Sequence, residues 1–420
     1  MTQAYECSGI VYDLFQNNTI SDAIKILEEN GIKVKKDTET EKYLLIYSMI
    51  SCSNSNPYGQ KCRGLIVNSE GMTVGRKYDR FFNFGEMIDI TGQVDFSRAK
   101  YYPKEDGSLI AFWFDRDLNK WRISTKGTID GKGPVKTVGG PPYKMFDELV
   151  YDTLGSNEKA FQLQMDIVAN AFQYDIRDFS FVFELCTKQN KVITDYQEDK
   201  MILLNIFLNH PDEYPIDQEY FDQLADYLGK TFKNVEPVKE ITGINTKEEA
   251  LEYCKSLNGL KEGLVVYDPV NGIRLKMKSP RYVWVANIKG EDEAPSLSKL
   301  AQIPYTGEIE EFSAYFPEWA QSLRYIKEVV DFRFQALEAI YKRMCVSSED
   351  TSREAMSQFA RDLKEQVPNA FYQKLFFTAK RQNKTLATVF KEADVKFYVG
   401  FFEEAHKEVQ ASNPKYVGNI

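Results

Sequence analysis

Lys104-Glu105-Asp106-Gly107-Ser108 follows Tyr101-Tyr102-Pro103 and runs directly into the apolar segment Leu109-Ile110-Ala111-Phe112-Trp113-Phe114. An acid and a turn glycine between a lysine and a hydrophobic run read as a turn at the mouth of a strand. Such a turn holds an exposed amine on a rigid scaffold. Surface turns of Lys, Asp and Gly are common, so the stretch gains weight only from what lies downstream. Lysine at its ordinary pKa of about 10.4 is protonated and unreactive at neutral pH. Neighbouring cations depress that value, and a shift of about two units raises the free-amine fraction roughly 100-fold.

Three later segments supply charged partners in strand settings. Ser124-Thr125-Lys126-Gly127 closes segment 121–126, which reads as the hairpin partner of 109–114. In Phe181-Val182-Phe183-Glu184-Leu185, strand alternation puts the two Phe on one face and Val182 with Glu184 on the other. A carboxylate inside so apolar a strand requires a partner or a ligand. Glu262-Gly263-Leu264-Val265-Val266 is followed by Ile273-Arg274-Leu275-Lys276-Met277-Lys278, where Arg274, Lys276 and Lys278 share one face. Taken singly, Glu184 also reads as an edge charge, Lys276 and Lys278 as solvated lysines, and Lys126 as a turn residue. Their joint occurrence in this order is what stands out. A P-loop at 127–133 is rejected, because the spacing is wrong and Lys132 is followed by Gly133.

The order KxDG, strand lysine, strand glutamate, EG-apolar, KxK resembles the covalent nucleotidyltransferases. The chain is most similar to the phage-type RNA ligase 1 family of ATP-dependent RNA ligases. The residues that carry this are Lys104–Ser108 as KEDGS, Cys62-Arg63-Gly64-Leu65-Ile66, Arg80-Phe81-Phe82-Asn83, Tyr196-Gln197-Glu198, Ile202-Leu203-Leu204-Asn205-Ile206, and Lys276-Met277-Lys278-Ser279 with Tyr282-Val283. The likeness covers residues 40–290, and Arg80 stands where a lysine is usual.

The resemblance implies an α+β fold: a mostly antiparallel nucleotidyltransferase (ATP-grasp-like) domain, then an all-α C-terminal domain. It implies Lys104 as nucleophile towards the α-phosphate of ATP, with Lys126, Lys276 and Lys278 as the cations that activate it and stabilise departing pyrophosphate. Glu262 and Glu184 are the expected ligands of Mg2+ or Mn2+, Glu184 also contacting the ribose. Arg63 and Arg80 are expected on the phosphates or the RNA end, with Phe82 lining the site. The implied partners are ATP, RNA with 5′-phosphate and 3′-hydroxyl ends such as tRNA nicked in its anticodon loop, and a separate end-healing kinase or phosphatase. The rival readings are a DNA ligase, a capping guanylyltransferase, or a non-catalytic RNA-binding protein that kept the fold.

Composition is compatible. The chain has 420 residues, 43% hydrophobic and 27% charged, which is enough for two or three domains of ordinary globular composition. The net charge of −9 confines nucleic-acid binding to local basic patches. Six cysteines, at 7, 52, 62, 186, 254 and 345, form no CxxC, and His210 and His406 are the only histidines. A zinc site is therefore not expected, and reduced thiols in the cytoplasm (a host cytoplasm, were the chain phage-encoded) are the default. No signal peptide or membrane partner is read.

Helices are expected at 21–30, 143–154 and 158–174, and one opened by the capping box Thr246-Lys247-Glu248-Glu249. Strands are expected at 43–50, 61–68, 179–185, 200–208, 263–267 and 272–278, with a loop at 51–60. Helical periodicity dominates 309–409, interrupted near 347–350, Pro368 and Gly400. The domains are placed at 1–295, with an N-terminal subdomain of about 1–100, and 296–420. Segment 366–391 contains no acid but holds Lys374, Lys380, Arg381, Lys384 and Lys391 among aromatics. It reads as a helix with aromatics inward and a lysine face towards RNA phosphates.

Overall fold

The computed structural model describes residues 9–49, 51–135, 143–172, 174–190, 192–194, 196–258, 260–288, 297–345 and 353–412. Contacts divide the chain into two units, Met1–Tyr282 and Val283–Ile420. The division falls within the helix Pro280–Ile288, and the boundary expected at 295/296 lies outside the described residues.

Three larger sheets and a two-stranded one are found in the first unit among the described residues. An N-terminal antiparallel sheet runs Ile32–Lys36, Lys42–Tyr47, Arg63–Asn68, Thr73–Gly75 in spatial order. One face packs on short helices through Val11, Phe15, Leu27, Leu45 and Val67. A buried charge cluster joins this sheet to the next: Lys42 pairs with Asp115 at 2.8 Å, and Arg122 with Asp37 at 2.7 Å. Each charge is compensated, as burial demands.

The largest sheet has Phe179–Cys186 at its centre, between Lys200–Leu208 and the hairpin Ser108–Asp115/Lys120–Thr125. Phe181 and Phe183 turn to a core shared with helices Phe146–Leu154, Glu158–Asn170 and Gln218–Thr231. Val182 turns the other way, with Ala111 and Phe207. The expected alternation is therefore observed, and Glu184 stands on the face away from the helices. A third sheet, Phe82–Asn83, Ile273–Lys278, Gly263–Asp268, Lys100–Lys104, buries Leu264, Val266, Leu275 and Met277 against the helix Lys247–Ser256. Pairing is antiparallel apart from Phe82–Asn83 on Ile273–Lys278 and Val235–Pro237 on Lys200–Leu208. The sheet class expected from sequence is the one observed.

Several boundaries differ from expectation for local reasons. The helix expected at 21–30 is Ile20–Glu29, because the Thr19 hydroxyl, not Ser21, accepts the Asp22 amide. Within the expected loop 51–60, Asn56 caps and Pro57 opens a short helix, Pro57–Lys61, which delays the next strand to Arg63. Residues Tyr143–Met145 pair with Pro134–Val135, so the helix starts at Phe146.

The second unit is helical, with a core that includes Phe312, Leu337, Tyr372, Phe376, Phe401 and Phe402. The expected break at Pro368 separates Arg353–Gln366 from Ala370–Gln382, while 347–350 lies outside the described residues. The expected interruption near Gly400 is absent: Val395–Ser412 is one continuous helix. Gly400 serves packing instead, since a Cβ there would sit 3.0 Å from the Phe371 ring, which stacks on Phe397. The lysine face is also thinner than expected. Lys380 is buried over the Phe359 ring and Lys384 pairs with Glu392 at 2.6 Å, leaving Lys374, Arg381 and Lys391 exposed. Among the described residues no helix is long and apolar enough to cross a membrane.

Candidate active site

Lys104 ends the edge strand Lys100–Lys104, which pairs antiparallel so that Lys104 lies opposite Gly263. Gly263 has φ 148, and a Cβ there would overlap the Met277 carbonyl oxygen. Only glycine lets this strand close on Ile273–Lys278 here, and Glu262, the residue before it, meets the amine of the strand on its other side. Lys104 Nζ lies 2.7 Å from Glu262 Oε2, and Glu262 is buried. On the next strand Lys278 lies opposite Gly263, Lys276 opposite Val265 and Arg274 opposite Tyr267. Alternation thus gives the sheet one greasy face and one face bearing Lys104, Tyr102, Val265, Tyr267, Arg274 and Lys276.

Glu184 meets this face from the central sheet. Its Oε1 accepts the Gly107 amide at 3.1 Å. A Cβ on Gly107 would overlap the Leu185 carbonyl oxygen, so the glycine of the lysine turn is required for the approach. Burial, helped by the Glu262 charge, pushes the Glu184 carboxyl up to about 7, while Lys104, Arg63 and the Gly107 amide oppose the rise. Lys276 moves the opposite way. Burial, then the charges of Arg63, Lys104 and Lys278, hold its pKa well below the ordinary lysine value, with Glu86 opposing. Its ammonium lies 4.7 Å from the centre of the Phe81 ring.

Asp106 does not face the site; it fastens the turn. One oxygen accepts the amides of Ile193 and Thr194 at 2.8 and 2.6 Å, and the other accepts the Tyr282 hydroxyl at 2.7 Å. The Asp106 amide donates to Tyr196, whose hydroxyl donates to Glu105. Tyr196 and Tyr282 therefore act as braces on the lysine turn.

Between the sheets lies a cavity of about 250 Å3, with Arg63, Lys104, Glu184 and Lys276 on its polar wall and Tyr102, Leu204, Val238 and Val265 on its apolar wall. This combination suits a nucleotide, with charge for phosphates and flat apolar surface for a base. Arg80 and Phe82 are not on this wall. They line a neighbouring cavity of about 270 Å3, separated from the first by Phe81 and Arg274, which border both. Lys126 lies against Tyr47, its Nζ 4.3 Å from the ring centre, and Arg80 stacks on the same ring at 4.3 Å. Lys278 reaches the site through its charge on Lys276. So Lys104, Glu184, Glu262, Lys276 and Arg63 converge directly, and Lys126, Arg80 and Phe82 flank them.

The Nη1 atoms of Arg63 and Arg80 are both buried with no hydrogen-bond acceptor among the described residues. Buried guanidinium donors without acceptors are suited to an anion such as a phosphate. Glu184 and Glu262 are the carboxylates available to a hard cation, and a cation between them would offset the repulsion that raises Glu184. No group of three or more His, Cys, Asp or Glu converges among the described residues, so phosphate oxygens would complete such a coordination shell.

Sequence reasoning missed Lys77, which is 2% exposed and adjoins this region. In Gly75-Arg76-Lys77 it looks like part of a solvated basic run, and no local pattern marks it as buried. It also passed over Arg274 as a wall residue, although strand alternation puts it in line with Lys276.

A curated relative, an Autographa californica nuclear polyhedrosis virus protein described as a bifunctional polynucleotide kinase/RNA ligase, is 30% identical over 317 residues, or 72% of this chain. The chain spans 41% of that relative's length. Among solved structures, an archaeal ATP-dependent RNA ligase aligns with 85% of this chain and 90% of its own, at 15% identity and a TM-score of 0.45. A Naegleria gruberi RNA ligase variant with ATP and Mn aligns with 50% of this chain and 56% of its own, at 13% identity and a TM-score of 0.35. The family model for RNA ligase matches residues 61–282, over half of the sequence and all of the convergent side chains, and the chain belongs to that family.

Proposed function

We propose that the protein is an ATP-dependent RNA ligase that joins 5′-phosphate to 3′-hydroxyl RNA ends through a lysyl-AMP. The observation that carries this reading is the Lys104 amine, held at a strand end beside Glu262 and opening on a cavity lined by Glu184, Lys276 and Arg63.

Lys104 Nζ attacks the α-phosphate of ATP, an N–P bond forms, and the bond to the β-phosphate breaks with loss of pyrophosphate. The nearest acceptor for the proton that Nζ must shed is Glu262 Oε2. Lys276, deep in the site and close to Arg63, stabilises charge on the α-phosphate. Arg63 and Arg80 offer their unaccepted N–H groups to the outer phosphates or to the RNA 5′-phosphate, with Lys126 and Lys278 adding positive field. Glu184 accepts from the ribose hydroxyls. A divalent metal, Mg2+ or Mn2+, held by Glu262 and Glu184 would neutralise charge on the phosphates. AMP then passes to the RNA 5′-phosphate, and a 3′-hydroxyl displaces it.

On this reading the first unit carries the chemistry and the helical unit contacts RNA through Lys374, Arg381 and Lys391. The natural substrate is cleaved RNA such as nicked tRNA, repaired in the cytoplasm. The viral relative is described as both kinase and ligase, which favours pairing this activity with an end-healing enzyme. Family membership and the intact set Lys104, Glu262 and Lys276 speak against a capping enzyme or a non-catalytic binder. The test is incubation with ATP, metal and a 5′-phosphorylated RNA, beside a DNA of the same sequence. Sealed or circular RNA is expected, with little DNA product. Sealing of DNA alone, or of neither, would overturn the assignment.

A further inference from the structure

Lys77 is the feature that this mechanism leaves unused. Its side chain is 2% exposed, and among the described residues no carboxylate pairs with it; the charge beside it is that of Arg63. A buried lysine without a counter-ion is costly and needs an explanation. Its surroundings provide one. Nζ donates to the Ser124 hydroxyl at 2.8 Å and to the Gly64 carbonyl at 3.3 Å. Gly64 directly follows Arg63, and Ser124 lies two residues before Lys126. The two segments also touch through their backbones. Gly64 has φ 78, and a Cβ on it would lie 3.1 Å from the Lys126 Cα.

We propose that Lys77 is a positioning residue for the phosphate-binding pair Arg63 and Lys126, which it holds in fixed register by bridging Gly64 and Ser124. The two acceptors match the two N–H groups of a neutral amine, and burial with the Arg63 charge beside it lowers the Lys77 pKa to about 7. The bridge can therefore bury two hydrogen bonds without adding a fixed charge beside Arg63. Apolar replacement would leave the Gly64 carbonyl without this donor and let the two segments slide. Displacements of about 1 Å at a reacting centre cost up to about 100-fold in rate.

The inference rests on the ligase reading, and the wild-type enzyme separates the two: absence of any wild-type lysyl-AMP would sink the reading itself. The experiment is a double-mutant cycle of Lys77→Met with Lys126→Ala, read as the single-turnover rate of lysyl-AMP formation. ATP affinity is measured in parallel, so the cycle can be completed should Lys126→Ala form no adduct. Lys77→Met is expected to lose about 10- to 100-fold in the wild-type background and several-fold less than that in the Lys126→Ala background, where only the placing of Arg63 is left to lose. Lys77→Arg, longer and permanently charged, should not restore the rate. Wild-type behaviour of folded Lys77→Met, or an equal loss in both backgrounds, would overturn the proposal, since a purely structural defect ignores Lys126. Should Lys77→Met fail to fold, Ser124→Ala removes one acceptor of the bridge and decides the matter through the same cycle, by the same criteria.

Discussion

Replacing Glu184 by Gln should stabilise the protein at pH 8 while disabling it. Burial raises the Glu184 carboxyl from 4.5 to about 7. Below the lower value folded and unfolded chains both carry the proton, and the group costs nothing. Between the two values the unfolded chain ionises first, so stability falls as pH rises, and the full cost stands above about pH 7. At about 1.4 kcal/mol per pKa unit, the difference is at most about 3.5 kcal/mol, less where water in the cavity screens the charge. Gln keeps an oxygen to accept the Gly107 amide but carries no charge. Urea unfolding without nucleotide should therefore show Glu184→Gln more stable than wild type by about 1–3 kcal/mol at pH 8 and by under about 1 kcal/mol at pH 5. Lysyl-AMP formation should fall sharply in the same variant. A variant less stable than wild type at pH 8, or a gain equal at both pH values, would refute the claim that this carboxylate is held against its solvation preference.

Gly107→Ala places a methyl group on the Leu185 carbonyl; a loss of about 1–3 kcal/mol by thermal or urea unfolding is expected, with adenylylation lost even at low temperature. Glu262→Gln removes the charge that orients the Lys104 amine and one of the two carboxylates offered to a metal, so the rate of lysyl-AMP formation should drop by about 100-fold or more at saturating ATP. In the helical unit, Lys374→Glu with Arg381→Glu should weaken RNA binding and flatten its salt dependence by about 0.7 for each phosphate no longer neutralised, while leaving lysyl-AMP formation unchanged. Salt titrations by fluorescence anisotropy read the former, and adduct gels the latter.

Much of the site is legible in the sequence because strands have a strict period of two. Lys276 with Lys278, and Glu184 opposite Phe183, are assigned to faces by alternation alone, and the structure has them there. What alternation cannot supply is which face meets which. The approach of Glu184 to the Lys104 turn depends on Gly107, between segments 77 residues apart in sequence, while Gly263 lets its own strand close on Met277. Lys126 shows the limit. Its position at a strand end is readable, but the side chain rests on Tyr47, in a sheet that sequence alone does not bring near. Lys77 is invisible for the opposite reason, since local sequence reads a lysine as solvated, whereas it is buried against the strands that carry Gly64 and Ser124. The helix Gln218–Thr231 carries a signal that is easily passed over: Phe221, Leu224, Ala225 and Leu228 form a narrow stripe among acids and tyrosines, with Asp217 as its cap. In the tail, aromatic spacing locates the core, yet it cannot tell that Lys380 lies buried over a ring rather than facing water.

The central claim is that Lys104 becomes covalently adenylylated. Wild type and Lys104→Ala are incubated with α-labelled ATP and Mg2+ or Mn2+, then resolved on a denaturing gel. A labelled band in wild type that is released by acid, kept in alkali as a phosphoramidate is, and absent from Lys104→Ala is the predicted result. A band that persists in Lys104→Ala would move the nucleophile elsewhere, and no band with either metal would contradict the account.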